Sequence, residues 1–222
     1  MTIITPVDQV SPGKLREVTI AKTLTSTRRI SIKNPFRPVV ALDIDGVMAD
    51  FNAAMKPFSN VKDTEESCPH SYNFVESKWF NTFDDFERAH VTVMDSAGDI
   101  PLNDDTASEA VSMLQHEGCE VIAVTARREA WRKETLRFFQ VNGIPITSER
   151  LFFMDKSNKS DMHFDYLIDD APKNIVDALE NTNSMPFVYA QPYNAHLPVT
   201  RVGSMMDFAN AVIDHRKSLL SA

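Results

Sequence analysis

Residues 39–51 read VVALDIDGVMADF. An apolar run leads into Asp43, Ile44, Asp45 and then Gly46. A short apolar run closed by a glycine is the pattern of a strand buried on both faces, as in a parallel sheet. Two carboxylates one residue apart at the end of such a strand raise each other's electrostatic cost, so their placement calls for a reason. In an open α/β sheet the reason lies at the carboxyl ends of the strands, where ligands bind.

Outward from this stretch the pattern repeats. CEVIAVT (119–125), RLFFM (150–154), DYLIDD (165–170) and PFVYA (186–190) are short, apolar and rich in β-formers. Between them lie helical patterns: DDTASEAVSMLQHEG from Asp104, REAWRKETLRFFQVNG from Arg128, APKNIVDALENT from Ala171 and SMMDFANAVIDHRKS from Ser204. The first two end at Gly118 and Gly143, where a helix terminus uses a glycine in the left-handed conformation. The alternation predicts an α/β fold, a Rossmann-like parallel sheet flanked by helices. Residues 52–100 break it, being too long for a βα loop and dense in aromatics. They are expected to form a small, mostly helical cap over the strand ends, inserted into a core of residues 38–51 and 101–222. In that cap Tyr72, Phe74, Trp79 and Phe80 either build its own core or line a ligand pocket.

Composition narrows the field. The 222 residues, 43% hydrophobic and 24% charged, suit one sizeable domain carrying an insertion. No run of about 18 apolar residues appears, so no membrane span is predicted. The first residues lack the basic, apolar, small-residue order of a secretory signal, and a cytoplasmic protein is expected. Cys68 and Cys119 make no disulfide framework, and Cys119 is expected in the core. The six histidines, without ligand spacing, are expected at the surface or in packing, and methionines such as Met205 and Met206 in the core.

The net charge of −8 is unevenly spread. Residues 1–37, a basic N-terminal extension, carry seven Lys/Arg against two acidic residues, a net of +5 that leaves −13 for the remainder. So acidic a body is poorly suited to a polyanionic duplex, and nucleic acid is not an expected partner. Within the extension, REVTI (16–20) and RISI (29–32) alternate as a short hairpin would.

The predicted strands bring Asp43 and Asp45, Thr125, and Asp169 and Asp170 to one edge of the sheet. Four converging carboxylates call for a cation, and oxygen donors without a nearby histidine suit a hard ion, Mg²⁺ before others.

In order and position, DIDGV, VTAR and NKSDMHFDYLIDD resemble the four motifs of the haloacid dehalogenase (HAD) superfamily of aspartate-nucleophile phosphatases, over most of residues 38–216. The resemblance implies that Asp43 is the nucleophile, forming an aspartyl phosphate, and that Asp45 is the general acid and base. It implies that Thr125 binds the phosphoryl oxygens and that Lys159, with Lys156 the alternative, neutralises charge beside Asp43. The implied Mg²⁺ set is Asp43, Asp169, Asp170 and Asp45, the last through its backbone carbonyl. A narrower likeness, of DGVMADF to DGVLADF, IDDAPKNI to IDDSPENI and AQPYNAHL to DRPYN, is to the 5'(3')-deoxyribonucleotidases. It implies that Phe51 reaches a nucleobase, with Trp79 or Phe80 stacking from the cap. Ala126 and Arg127 complete the implied substrate-binding set, Arg127 either supporting the phosphate or pairing with an acid. The implied activity is Mg²⁺-dependent hydrolysis of (deoxy)ribonucleoside monophosphates, with a small-molecule nucleotide as partner. The alternatives are another small phosphate ester, a polynucleotide 3'-phosphate end, or a non-catalytic nucleotide-binding protein; a homodimer is left open.

Overall fold

A computed structural model describes residue 32, residues 34–154 and residues 158–221. The hairpin suggested by REVTI and RISI, and Lys156, lie outside the described residues.

The apolar runs become β1 (Val39–Leu42), β2 (Glu120–Thr125), β3 (Leu151–Phe153), β4 (Tyr166–Asp169) and β5 (Met185–Tyr189), joined at one edge by β6 (Thr200–Val202). All pair in parallel, in the order β3-β2-β1-β4-β5-β6. The chain steps from β1 to one side through β2 and β3, then returns to the other side at β4. That reversal makes the crevice between β1 and β4 the switch point where such sheets bind ligands. Leu42 pairs with Ile168 across it, and the Asp43 N–H donates to the Ile168 carbonyl at 3.0 Å.

Helices α1 (Phe51–Met55) and α2 (Phe83–Met94) lie in the segment that follows β1. The crossovers carry α3 (Ala107–His116), α4 (Arg132–Val141) and α5 (Pro172–Asn181), and α6 (Met205–Leu220) closes the described chain. Gly118 and Gly143 sit at φ +85° and +64° just past α3 and α4, as their positions in the sequence predict. The helix expected from Asp104 starts later, at Ala107, because Asp104 is used as a tether. Its carboxylate accepts from Thr106 N, from Met205 N at 3.0 Å and from the Tyr189 hydroxyl at 3.0 Å.

Side chains alternate across the sheet as strand geometry requires. Val40, Leu42, Val121, Ala123, Ile168 and Phe187 join a large core on one face, with Leu114, Phe138, Phe139, Phe208 and Val212 from the helices. Ala41, Ile122, Val124 and Leu167 face a smaller cluster with Phe164 and Ala178 on the other. Residues 51–100 are helical at both ends and irregular between residues 59 and 82. Among the described residues no helix is long and apolar enough to cross a membrane.

Candidate active site

Asp43 follows β1, Asp169 ends β4 and Asp170 follows it, so two adjacent strands deliver three carboxylates to one point. Each offers an oxygen within 4.8 Å of the others, and all three are buried. Lys159 stands among them, itself only 4% exposed. Its Nζ lies 2.6 Å from Asp43 Oδ1 and 2.6 Å from Asp169 Oδ2. The short 3₁₀ turn Lys159–Asp161 that carries it is held by Asn158 and Asp161, which cap each other's backbone.

Asp169 is heavily bonded. Oδ2 accepts from Lys159 and from Asn174 Nδ2 at 2.9 Å, and Oδ1 accepts from Ala171 N at 2.9 Å. Asp170 Oδ2 accepts a hydrogen bond from the Tyr193 hydroxyl. A carboxylate has about four acceptor positions, so Asp170 keeps more of its capacity than Asp169 does.

Burial, then the charge of Asp169, push Asp43 from 3.8 to about 7 against the opposing pull of Lys159. Asp170 is raised well above the usual carboxylate range by burial, Asp169 and Asp43. Burial alone would lower Lys159, but Asp169 and Asp43 outweigh it and hold the ammonium charged.

The donor set fits a divalent cation. With all four ionised, Asp43, Asp45, Asp169 and Asp170 outnumber the two cations facing them, Lys159 and Arg127, by two charges. The backbone makes room for the cluster: a Cβ on Gly46 would stand 2.2 Å from Asp170 Oδ2, and Gly46 sits at φ +80°. Oxygen-only donors in such a cradle suit Mg²⁺ or another hard ion.

The Asp45 side chain stands outside this cluster. It is gripped by buried Arg127, whose Nε and Nη2 lie 2.9 and 2.6 Å from the two carboxylate oxygens. Bidentate, charge-assisted pairing is the strong form of this contact. Any part Asp45 takes at a metal therefore falls to its backbone carbonyl. Of the two roles open to Arg127, the described contacts are those of the acid-pairing one, with Thr135 Oγ1 at 3.1 Å and the Phe138 ring beneath it. Thr125, 1% exposed, lies two residues past the pairing of Leu42 with Ala123, and its Oγ1 accepts from Arg127 N at 3.1 Å. Ala126 links Thr125 to Arg127 at the end of β2.

The aromatic residues divide. Trp79 has no exposed surface; its Nε1 donates to Glu66 at 2.8 Å and its ring meets Phe74 edge-on. It belongs to the core of the inserted segment, which corrects its expected stacking on a base. Phe80, 4% exposed, borders a cavity of about 380 Å³ with Phe58, Asn60, Asn81, Asp85 and Arg88, whose lining includes none of Asp43, Asp169 and Asp170. Phe51 opens α1 and is half-buried between Phe74 and His90, each ring 5.8 Å away. His90 is a packing residue, as expected, stacked on Phe86, and burial pushes its pKa down.

The residues that the motifs did not mark are Tyr72, Asn174, Tyr193 and Asn194. The Tyr72 ring is half-exposed and packs against Tyr193 at 5.6 Å. Cys68 lies four residues before it in the chain, its thiol donating to Gln191 Oε1 at 3.3 Å and pushed up to about 12 by burial, Asp170, Asp50 and Glu66. The only sequence signals for the three asparagine and tyrosine residues were the stretches IDDAPKNI and AQPYNAHL.

No protein-family model matches the chain. Over 83% of its length it superposes on 98% of a HAD family hydrolase from Deinococcus radiodurans R1, solved with bound phosphate and sodium, with a TM-score of 0.58 at 10% identity. The chain has the HAD fold. Within it, Asp43 and Asp169 flank the switch point of a HAD-type sheet. A Bacillus cereus protein named "Putative nucleotidase" is 28% identical over 115 residues, 48% of this chain and 58% of that protein. The chain thus spans little more than half the length of the curated relative it matches.

Proposed function

We propose that this chain is a Mg²⁺-dependent phosphomonoesterase that releases phosphate from nucleoside monophosphates through an aspartyl phosphate on Asp43. The observation that carries the reading is the Lys159 ammonium between Asp43 and Asp169, beside Asp170, at the switch point of the sheet. The HAD fold supports the phosphatase class, and the likeness to the Bacillus cereus protein supports a nucleotide substrate.

When bound by Asp43, Asp169, Asp170 and the Asp45 carbonyl, Mg²⁺ would neutralise charge at the phosphoryl group. Lys159 holds Asp43 in place and adds a positive charge beside the group being transferred. An Asp43 oxygen attacks phosphorus, the bond to the leaving oxygen breaks, and that oxygen takes a proton from Asp45, whose carboxyl would first be protonated and turned from Arg127. Asp45 then accepts a proton from water as the water oxygen attacks phosphorus, which frees inorganic phosphate and restores Asp43. This role suits the partial exposure of Asp45, 26% at the side chain, since it must meet both the leaving group and water. The Thr125 hydroxyl proton remains available to a phosphoryl oxygen.

The test is phosphate release, with and without Mg²⁺, across 5'- and 3'-nucleotides, sugar phosphates and a 3'-phosphorylated oligonucleotide. Preference for deoxynucleoside monophosphates is expected. Asp43→Asn should lose about 10³-fold or more in rate yet still bind nucleotide. Equal activity on sugar phosphates would overturn the substrate class, and near-normal turnover by Asp43→Asn would overturn the nucleophile.

A further inference from the structure

Gln191, Pro192, Tyr193 and Asn194 form a short turn after β5 that touches both the carboxylate cluster and the inserted segment. Its core side is fixed. Asn194, with no exposed surface, donates through Nδ2 to the carbonyls of Asp170 and Tyr189, both at 2.8 Å. Arg201 Nη1 donates to the Asn194 carbonyl and Oδ1, both at 2.8 Å. Gln191 Nε2 reaches the Gly46 carbonyl at 3.3 Å, in the loop that follows Asp45. From this base the buried Tyr193 hydroxyl donates to Asp170 Oδ2, while its ring meets Tyr72 edge-on at 5.6 Å and 70°. On the same side Cys68 donates to Gln191, and Asn52 Nδ2 donates to Cys68 at 3.4 Å.

Asp170 has one hydrogen-bonding side-chain partner among the described residues, where Asp169 has two and a backbone N–H besides. Its rotamer therefore depends on Tyr193, whose ring packs against Tyr72 of the 59–82 stretch. We propose that Tyr193 is a positioning residue that aims Asp170 at the cation and, through Tyr72, couples cation binding to the seating of the inserted segment. The proposal rests on the phosphatase reading above. Partners in the outer shell that orient a metal ligand are worth about 10–100-fold in affinity. By reciprocity, a segment that steadies Tyr193 strengthens cation binding by the same factor with which the cation steadies the segment.

The test is calorimetric titration of the full chain with MgCl₂, for wild type, Tyr193→Phe and Tyr72→Ala, beside phosphate release at rising Mg²⁺. Tyr193→Phe keeps the ring and loses only the hydroxyl; it should bind Mg²⁺ about 10-fold more weakly, and excess Mg²⁺ should recover much of its lost rate. Tyr72→Ala should weaken Mg²⁺ binding by a smaller factor, about 3-fold, though it makes no hydrogen bond to Asp170. Wild-type Mg²⁺ affinity in Tyr193→Phe would overturn the positioning role, and wild-type affinity in Tyr72→Ala would overturn the coupling. A wild-type chain that binds Mg²⁺ normally in either case leaves the phosphatase reading standing, whereas one that neither binds Mg²⁺ nor releases phosphate takes both down.

Discussion

Gly46 shows how little room a single residue leaves at this site. Its φ of +80° lies where side chains are disfavoured, and a Cβ would enter the van der Waals shell of Asp170. Both effects act against the same carboxylate. Gly46→Ala should therefore cost about 1–3 kcal/mol in backbone strain and displace Asp170. Chemical denaturation checks the first part and Mg²⁺ titration the second; a variant equal to wild type in both would mean the loop relaxes freely. Asp43, Asp45, Asp169 and Asp170 could be picked out in the sequence because strand ends gather them, whereas Lys159, on a 3₁₀ turn, was marked only by the motif likeness. The Asp45–Arg127 pair could not be fixed in advance, since which way a side chain at a strand end turns depends on its neighbours. Here Thr135 and Phe138 hold the guanidinium on the far side of Asp45. Tyr193 was hidden for a related reason: its partner Asp170 is 23 residues away, and no periodicity links the two.

At the scale of elements, the strands that read clearly are those with an apolar run, the edge strand β3 included although its Phe152 is exposed. β6 did not, because its three residues, Thr200, Arg201 and Val202, include two exposed polar ones and form a sheet edge. An edge strand needs no apolar run, only a neighbour to pair with, and β5 supplies it. α6 covers the larger core with Met205, Phe208, Ala209, Val212 and Ile213. Its start is fixed by Ser204, whose side chain accepts from Asp207 N at 3.0 Å. Ser204→Ala should lower stability by about 1 kcal/mol, read as a lower midpoint in thermal unfolding, and leave the Mg²⁺ dependence of turnover in place. The aromatic stretch between α1 and α2 was harder to divide than any strand. Trp79 and Phe80 are neighbours in sequence, yet one is sealed inside while the other borders a cavity.

For the whole molecule, the buried carboxylates make stability a function of pH and of cation. Asp43 is raised from 3.8 to about 7 when folded, so between those values the folded chain holds a proton that the unfolded chain has lost. The contribution of Asp43 to stability is fully present below about pH 4 and is lost as pH rises to about 7. Mg²⁺ acts in the opposite sense, because it requires the ionised carboxylate. The rise in unfolding temperature on adding Mg²⁺ should accordingly be larger at pH 8 than at pH 5.5, and a shift independent of pH would count against Asp43 as a ligand. The same field of negative charge has a kinetic side. With its thiol pushed up to about 12, Cys68 stays protonated at pH 8. Alkylation of Cys68, half-buried with its thiol against Gln191, should accordingly be slow at pH 8. Cys119, buried and pushed up to about 11 in the core, waits on a deeper opening. The two thiols thus report at different depths, Cys68 on the contact between the inserted segment and Gln191, Cys119 on the core.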